Sequence, residues 1–288
     1  MSFLEALNFT NILNHGLLGI AALESANETL QAVFFALGAL ICIAEGYFIG
    51  AFSPAIYFSK KLYGSDVRES GSGNAGSTNM LRTHGKKAGL ITALGDFFKG
   101  VLTALLGYIA FGYNGAAIAG LFAVVGHIAP VYYKFKGGKG VMVAASVLLM
   151  LDPVVFLITI AMFAVIVYLT KYVSLGSIMA ALVYPLVFVR VGGHLGIPAI
   201  TNIITGALII FMHRGNMTRL KEGTENKLSF GKKKTEEKSA SDDGTESVQE
   251  GETGEAEDTD NADGYAVSEK KPQPKSKKNQ KKLKKGKK

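Results

Sequence analysis

Residues 71–87 read GSGNAGSTNMLRTHGKK. The stretch is glycine-rich, polar and basic, and apolar sequence flanks it on both sides. The run 33–58 before it carries only Glu45 as a charge, and the run 88–111 after it carries only Asp96 and Lys99. Two further polar, basic stretches follow the same plan: KFKGGKG at 134–140 and HRGNMTRLKEGTENKL at 213–228. A soluble domain would scatter such loops over its surface. Here the apolar runs between them bring all three to one side of a membrane.

A spanning helix needs about 20 mostly apolar residues. The runs 33–58, 88–111, 116–133, 154–170 and 173–189 suit that length, 197–212 is slightly short but apolar, and 141–151 is short and ends at Asp152-Pro153. The pattern predicts an all-α integral membrane protein of about seven transmembrane helices. Five full spans plus two shallow helices fit these lengths equally.

Lys and Arg concentrate in cytoplasmic loops. Lys60, Lys61, Arg68, Arg82, Lys86 and Lys87 fall in one loop, and Lys134, Lys136 and Lys139 in the next alternate one. Lys171 and then Arg214, Arg219, Lys221 and Lys227 continue the series, against Arg190 alone in the opposite loops. The expectation is an N-terminus outside, a cytoplasmic C-terminus, and all three polar stretches facing the cytoplasm. No Lys or Arg precedes Lys60, so the basic start of a signal peptide is missing. Residues 1–32 are expected to form an extracytoplasmic arm with an interfacial helix.

The chain has 288 residues and is 48% hydrophobic, but the average hides two parts. Residues 228–288 hold 15 Lys and 13 Asp/Glu and almost no large apolar side chains. That composition cannot bury a core, so 229–288 are expected to form a disordered cytoplasmic tail after a membrane domain over 33–228. Cys42 is the one cysteine, which excludes an intramolecular disulfide and a cysteine-based metal site. It sits in an apolar run and is expected to pack there.

The three stretches suit anions. In the first, Gly71, Gly73 and Gly76 permit a tight backbone whose N–H groups point inward. Ser72, Asn74, Ser77, Thr78 and Asn79 add short donors, and the planar fork of Arg82 matches a phosphate. The Walker phosphate-binding pattern is absent, because Gly140 rather than Ser or Thr follows Lys139. In the second, Lys136, Gly137, Gly138 and Lys139 open an apolar run, so ammonium charge and helix N-terminus act on one anion. In the third, His213 and Asn216 share a helix face one turn apart. Arg219 recurs at the same spacing, and Glu225 lies close enough to buttress a cation. Asp96 and Lys99, three residues apart in an apolar run, are spaced to pair with each other; the alternative is a place near the cytoplasmic end, supporting the first loop. A charge at membrane depth costs about 2.5–3.5 kcal/mol on insertion scales.

No G-x-S-x-G elbow occurs, and no histidine has an aspartate at H-x4-D spacing: His84, His127 and His213 reach Gly89, Tyr132 and Thr218. A covalent acyl-enzyme and thioester-dependent acyl transfer are therefore not expected, and neither a metal nor an organic cofactor is implied. A transporter of a phosphorylated metabolite is the alternative reading, but it needs polar residues threaded to both membrane faces. A scaffold that recruits partners through its tail would leave the three stretches unexplained.

GSGNAGSTNMLR, GHIAPVYYKFKGGKGV and HRGNMTRLKEGTENKL together resemble, in order, the three motifs of the acyl-phosphate:glycerol-3-phosphate acyltransferases, the PlsY family of bacterial inner-membrane enzymes. The resemblance covers roughly 33–228. It implies a seven-helix membrane fold and transfer of a long-chain acyl group from acyl phosphate to the 1-hydroxyl of glycerol 3-phosphate. The products would be lysophosphatidic acid and phosphate, the first acylation of phospholipid synthesis. By position, Ser72, Thr78, Asn79 and Arg82 would line the pocket with Gly73, Asn74 and Gly76. Lys136 and Lys139, on the Gly137-Gly138 loop, would bind phosphate, and His213, Asn216 and Arg219 would complete the site with Glu225 in support. Ser72, Arg82, Lys139, His213 and Asn216 are the expected catalytic set. The proton acceptor is either His213 or the substrate's own phosphate. Implied partners are the two substrates, membrane lipid and the enzyme that makes the acyl phosphate. The sequence departs from the family where Ala75 and Ser77 stand in a stretch that usually reads closer to GNPGATN, and where Met142 and Val143 replace small residues.

Outside the resemblance, 270–288 contains eleven lysines after an acidic block at 242–263. Such an end is drawn to anionic lipid by about 1 kcal/mol per lysine near the surface.

Overall fold

The computed structural model describes residues 9–228. Ten α-helices make up that part: α1 Phe9–Glu24, α2 Glu28–Ala51, α3 Pro54–Tyr63, α4 Ser77–His84, α5 Lys86–Ile128, α6 Val141–Leu151, α7 Pro153–Thr170, α8 Val173–Arg190, α9 Ile197–Met212 and α10 Arg214–Lys221. Short 3-10 turns lie at Val67–Glu69 and Val131–Tyr133, and there is no strand among the described residues. The tail expected over 229–288 lies outside the described residues.

The longest element is folded on itself. α5 runs for 43 residues but leaves helical geometry at Phe111 and Gly112. Gly112 takes φ +59, which an L side chain rarely adopts. The chain reverses there, and a Cβ on Gly107 of the first arm would lie 2.6 Å from the Gly115 carbonyl of the second. One glycine thus does the work of the loop expected between the runs 88–111 and 116–133. α2 lies along the second arm, its small residues Gly46 and Gly50 against Ala119 and Ala123. Small residues let membrane helices approach closely. Cys42 is buried on the same face beside Phe111 and Ala119, as a packing residue.

Each apolar run becomes helix, but not each helix has the length to cross. Four helical stretches are long and apolar enough, or five if α9 and α10, bent by 51°, count as one. α6 has 11 residues, about 16 Å against a hydrocarbon core of about 30 Å. α5 counts as one of these stretches although its two arms run in opposite senses; α6 is too short to cross alone, and α9 has 16 residues before its break at His213. The outward faces confirm the solvent. α7 has 18 residues of which only Val155 is buried, and Val154, Leu157, Tyr168 and Leu169 lie bare. In water so large an apolar surface would aggregate; in lipid it costs nothing.

The N-terminal region is helical and packed. α2 begins at Glu28, not 33, because Asn27 caps it, its side chain accepting from the amides of Thr29 and Leu30 at 2.9 and 3.2 Å. α1 packs on the tip of the α5 hairpin, where Gly16 (φ +67) faces Gly112 so tightly that a Cβ on Gly16 would lie 2.3 Å from the Gly112 nitrogen.

Asp96 and Lys99 pair at 2.9 Å inside the bundle, the first of the two alternatives their spacing leaves. His127 joins them, its Nδ1 2.9 Å from Lys99 Nζ and 3.3 Å from Asp96 Oδ1. Removing one partner of a buried ion pair typically costs about 3–5 kcal/mol.

Candidate active site

The three polar stretches meet at one end of the bundle around a cavity of about 570 Å³. The first stretch is held in shape by Asn79, which is 1% exposed. Its Oδ1 accepts from the Ser72 amide at 2.9 Å, and its Nδ2 donates to the carbonyls of Val67 and Ser70 at 2.9 and 3.0 Å. Those bonds occupy its amide group, so Asn79 organises the loop around Ser72. No side chain caps α4 at Gly76, nor α6 at Gly140. Two helix N-termini with free amides therefore border the same cavity, a natural place for anions. Ser72, Gly73, Asn74, Gly76, Thr78, Asn79 and Arg82 all line it.

The second stretch divides. Lys139 enters the cavity, but Lys136, Gly137 and Gly138 do not line it. Lys136 is exposed, and its carbonyl accepts from Arg68 Nη1 at 3.1 Å. The same nitrogen reaches the Tyr133 carbonyl at 2.9 Å, and Asp66 holds the guanidinium from the other side at 2.7 Å. Arg68, which sequence reasoning counted only as a loop charge, thus ties the first stretch to the second. Gly137 and Gly138 bond their amides to the carbonyls of Ile128 and His127, at 3.1 and 3.0 Å.

The third stretch supplies a connected set. Lys139 Nζ donates to Asn216 Oδ1. Asn216 Nδ2 donates to Glu225 Oε1 at 2.7 Å, and Arg219 Nε donates to Glu225 Oε2 at 2.7 Å. Burial alone would raise Glu225, but the bonds from Asn216 and Arg219 outweigh it and hold the carboxyl below its ordinary range. Burial pulls Lys139 down to about 8; Glu225 opposes the fall, while Arg219 and Arg82 add to it. His213 follows α9, with Nδ1 2.8 Å from the Ile209 carbonyl. A carbonyl only accepts, so Nδ1 carries the proton and Nε2 keeps a free lone pair. Burial, with Lys139 nearby, lowers the ring to about 4, so it is neutral at pH 7. Arg82 is exposed at the edge of the cavity and reaches the Asn226 carbonyl at 3.4 Å. Asp96 and His127 also border the cavity. Among the described residues no group of three or more His, Cys, Asp or Glu could hold a metal ion.

An apolar groove of about 110 Å³ continues from this cavity between α6, α7 and α8, past Leu148, Phe156 and Tyr184. Val141, Met142, Phe163 and Ser177 border both spaces. Sequence reasoning missed the groove, since nothing in an apolar run marks which residues leave a gap. Around the mouth, cations stack on rings: Lys171 on Tyr168 at 4.6 Å, Arg214 on Phe211 at 4.6 Å and Lys227 on Tyr172 at 5.6 Å. Amphipathic pairs of this kind suit a lipid–water boundary.

These features define a helical membrane protein with a cationic cavity at one end of its bundle, open to an apolar groove. Residues 40–223 match the family model described as glycerol-3-phosphate acyltransferase. The chain is 46% identical over 185 residues to the glycerol-3-phosphate acyltransferase of Finegoldia magna, covering 63% of this chain and 92% of that one. With the enzyme of the same name from Clostridioides difficile it shares 40% over 195 residues, 66% and 95% of the two chains. The crystal structure of PlsY, an integral membrane glycerol 3-phosphate acyltransferase, in its glycerol 3-phosphate form superposes with a TM-score of 0.63 at 38% identity, covering 66% and 96%. Its lysophosphatidic acid form gives 0.61 at 37%, covering 66% and 95%. The chain belongs to the glycerol-3-phosphate acyltransferase family of integral membrane enzymes.

Proposed function

We propose that this acyltransferase takes its acyl group from a long-chain acyl phosphate and passes it to the 1-hydroxyl of glycerol 3-phosphate, releasing lysophosphatidic acid and inorganic phosphate. The observation that carries this reading is the continuity of the two spaces: a cavity bordered by Arg82, Lys139 and Arg219 runs into an apolar groove at Met142 and Phe163. A donor that joins a phosphate to a long apolar chain fits that continuity, and so does an amphiphilic product. The relatives solved with glycerol 3-phosphate and with lysophosphatidic acid support it.

In this mechanism Arg82 and Lys139, with Arg219 beside them, hold the two phosphates. The amides at the start of α4 and α6 meet the charge that develops on the leaving phosphate. The glycerol oxygen bonds to the acyl carbon while the acyl–phosphate C–O bond breaks. His213 Nε2 takes the hydroxyl proton, the substrate's own phosphate being the other acceptor. An acyl phosphate is already activated, so orientation and charge stabilisation dominate the rate. Ser72 sits with the reacting centre, and Asn216 and Glu225 keep Lys139 and Arg219 in place. The cavity faces the cytoplasm, as the lysine and arginine distribution requires, in the cytoplasmic membrane of a bacterium. The enzyme that makes the acyl phosphate is a partner in this scheme, and anionic lipid is the partner of the lysine-rich end.

The test uses full-length protein in lipid nanodiscs with palmitoyl phosphate and glycerol 3-phosphate, palmitoyl-CoA as competing donor, and Arg82→Ala as control. Phosphate release that needs both substrates, yields lysophosphatidic acid and fails in the variant supports the reading. Turnover with palmitoyl-CoA and none with palmitoyl phosphate overturns the choice of donor.

A further inference from the structure

The cluster of Asp96, Lys99 and His127 has no part in the chemistry described above, yet it lies directly behind the loop that carries Lys139. Lys99 Nζ is surrounded by four groups: the carbonyls of Gly50 and Phe52 at 3.0 and 2.7 Å, Asp96 Oδ1 at 2.9 Å and His127 Nδ1 at 2.9 Å. The cluster therefore joins the end of α2 to both arms of α5. Held at Nδ1, the His127 ring turns its other nitrogen toward the second polar stretch. A Cβ on Gly138 would lie 2.1 Å from His127 Nε2 and 2.6 Å from the Ala75 carbonyl of the first stretch. The His127 carbonyl accepts from the Gly138 amide at 3.0 Å. The loop thus rests on His127 from two sides, and Lys139 is the next residue along.

We infer that Asp96, Lys99 and His127 form a positioning unit: the His127 ring sets the height of Gly138 and so places the Lys139 ammonium against substrate phosphate. Glycine is required at 138 because any side chain would collide with that ring. Within the reading under Proposed function, on which this rests, displacement of the loop weakens phosphate binding more than it slows the chemical step. Ground-state binding lost in this way appears in KM with kcat little changed.

The experiment compares wild type, His127→Asn, Gly138→Ala and the double variant, as full-length protein in nanodiscs. Asparagine can still bond to Asp96 or Lys99 but withdraws the ring from beneath Gly138. Binding of glycerol 3-phosphate is read by calorimetry, and KM and kcat by phosphate release. Each single variant is expected to raise both Kd and KM about tenfold, with kcat within about threefold of wild type. The double variant is expected to bind no more weakly than Gly138→Ala, because the clash with the ring is gone while that with the Ala75 carbonyl is common to both; contacting residues couple in this way. If the asparagine variant does not fold, Gly138→Ala, which keeps His127, still carries the comparison. A Kd and KM within about twofold of wild type, with only the melting temperature lowered, overturns the positioning role, and so do strictly additive effects. Wild type that binds glycerol 3-phosphate without acyl transfer would sink the reaction while the Kd comparison still decides the role of His127. Wild type that binds no glycerol 3-phosphate would sink both.

Discussion

Asn216 receives the Lys139 ammonium on its oxygen, across 77 positions of sequence, and gives its own amide proton to Glu225 at 2.7 Å, so one side chain joins a loop residue to a carboxylate. The lysine is thereby held in the cavity before any substrate arrives, with little charge left to spare.

That charge is sensitive to alkali. Burial brings Lys139 to about 8, so its positive form is complete well below that pH and is lost above it. At pH 9 about a tenth of the free enzyme keeps the charge, and KM for glycerol 3-phosphate should rise about tenfold between pH 7 and 9. Lys139→Arg should flatten this rise, since a guanidinium stays charged throughout. Initial rates over that range check both.

His213 separates differently. Its free Nε2 is set by the bond from Nδ1 to the Ile209 carbonyl. His213→Gln should lower kcat about 10²–10⁴-fold with a much smaller change in KM, the scale of a lost general base. A kcat within a few-fold of wild type would give the proton to the substrate phosphate instead.

The groove predicts chain selectivity. Met142 borders cavity and groove together. Met142→Trp should fill the passage and shift preference from palmitoyl phosphate toward shorter acyl phosphates, read as a ratio of kcat/KM values.

The hairpin predicts a stability effect without a catalytic one. Gly112→Ala puts a methyl 2.3 Å from the Asn14 carbonyl at φ +59. The strain is about 1–3 kcal/mol. The thermal midpoint in nanodiscs should fall by several degrees while kcat at low temperature stays unchanged.

The helical rods and the three polar stretches were legible because membrane helices announce themselves by length and loops by glycine and charge. What stayed hidden were long-range contacts. Lys136 and Lys139 look equivalent in KGGKG, yet Arg68 draws the backbone at Lys136 outward while Asn216 draws the side chain of Lys139 inward. His127 looks like the polar end of an apolar run until its ring is found beneath Gly138. The docking of α1 was hidden in the same way: Gly16 gains its meaning only from Gly112, about 100 residues later.

That separation also orders events in time. α1 leaves the ribosome before α5, and the surface it docks on does not exist until the α5 hairpin has been made. At about 5–20 residues per second the interval is about 5–20 s. For that period α1 must wait in or on the bilayer without its partner, and it becomes one of the later pieces of the bundle to find its place.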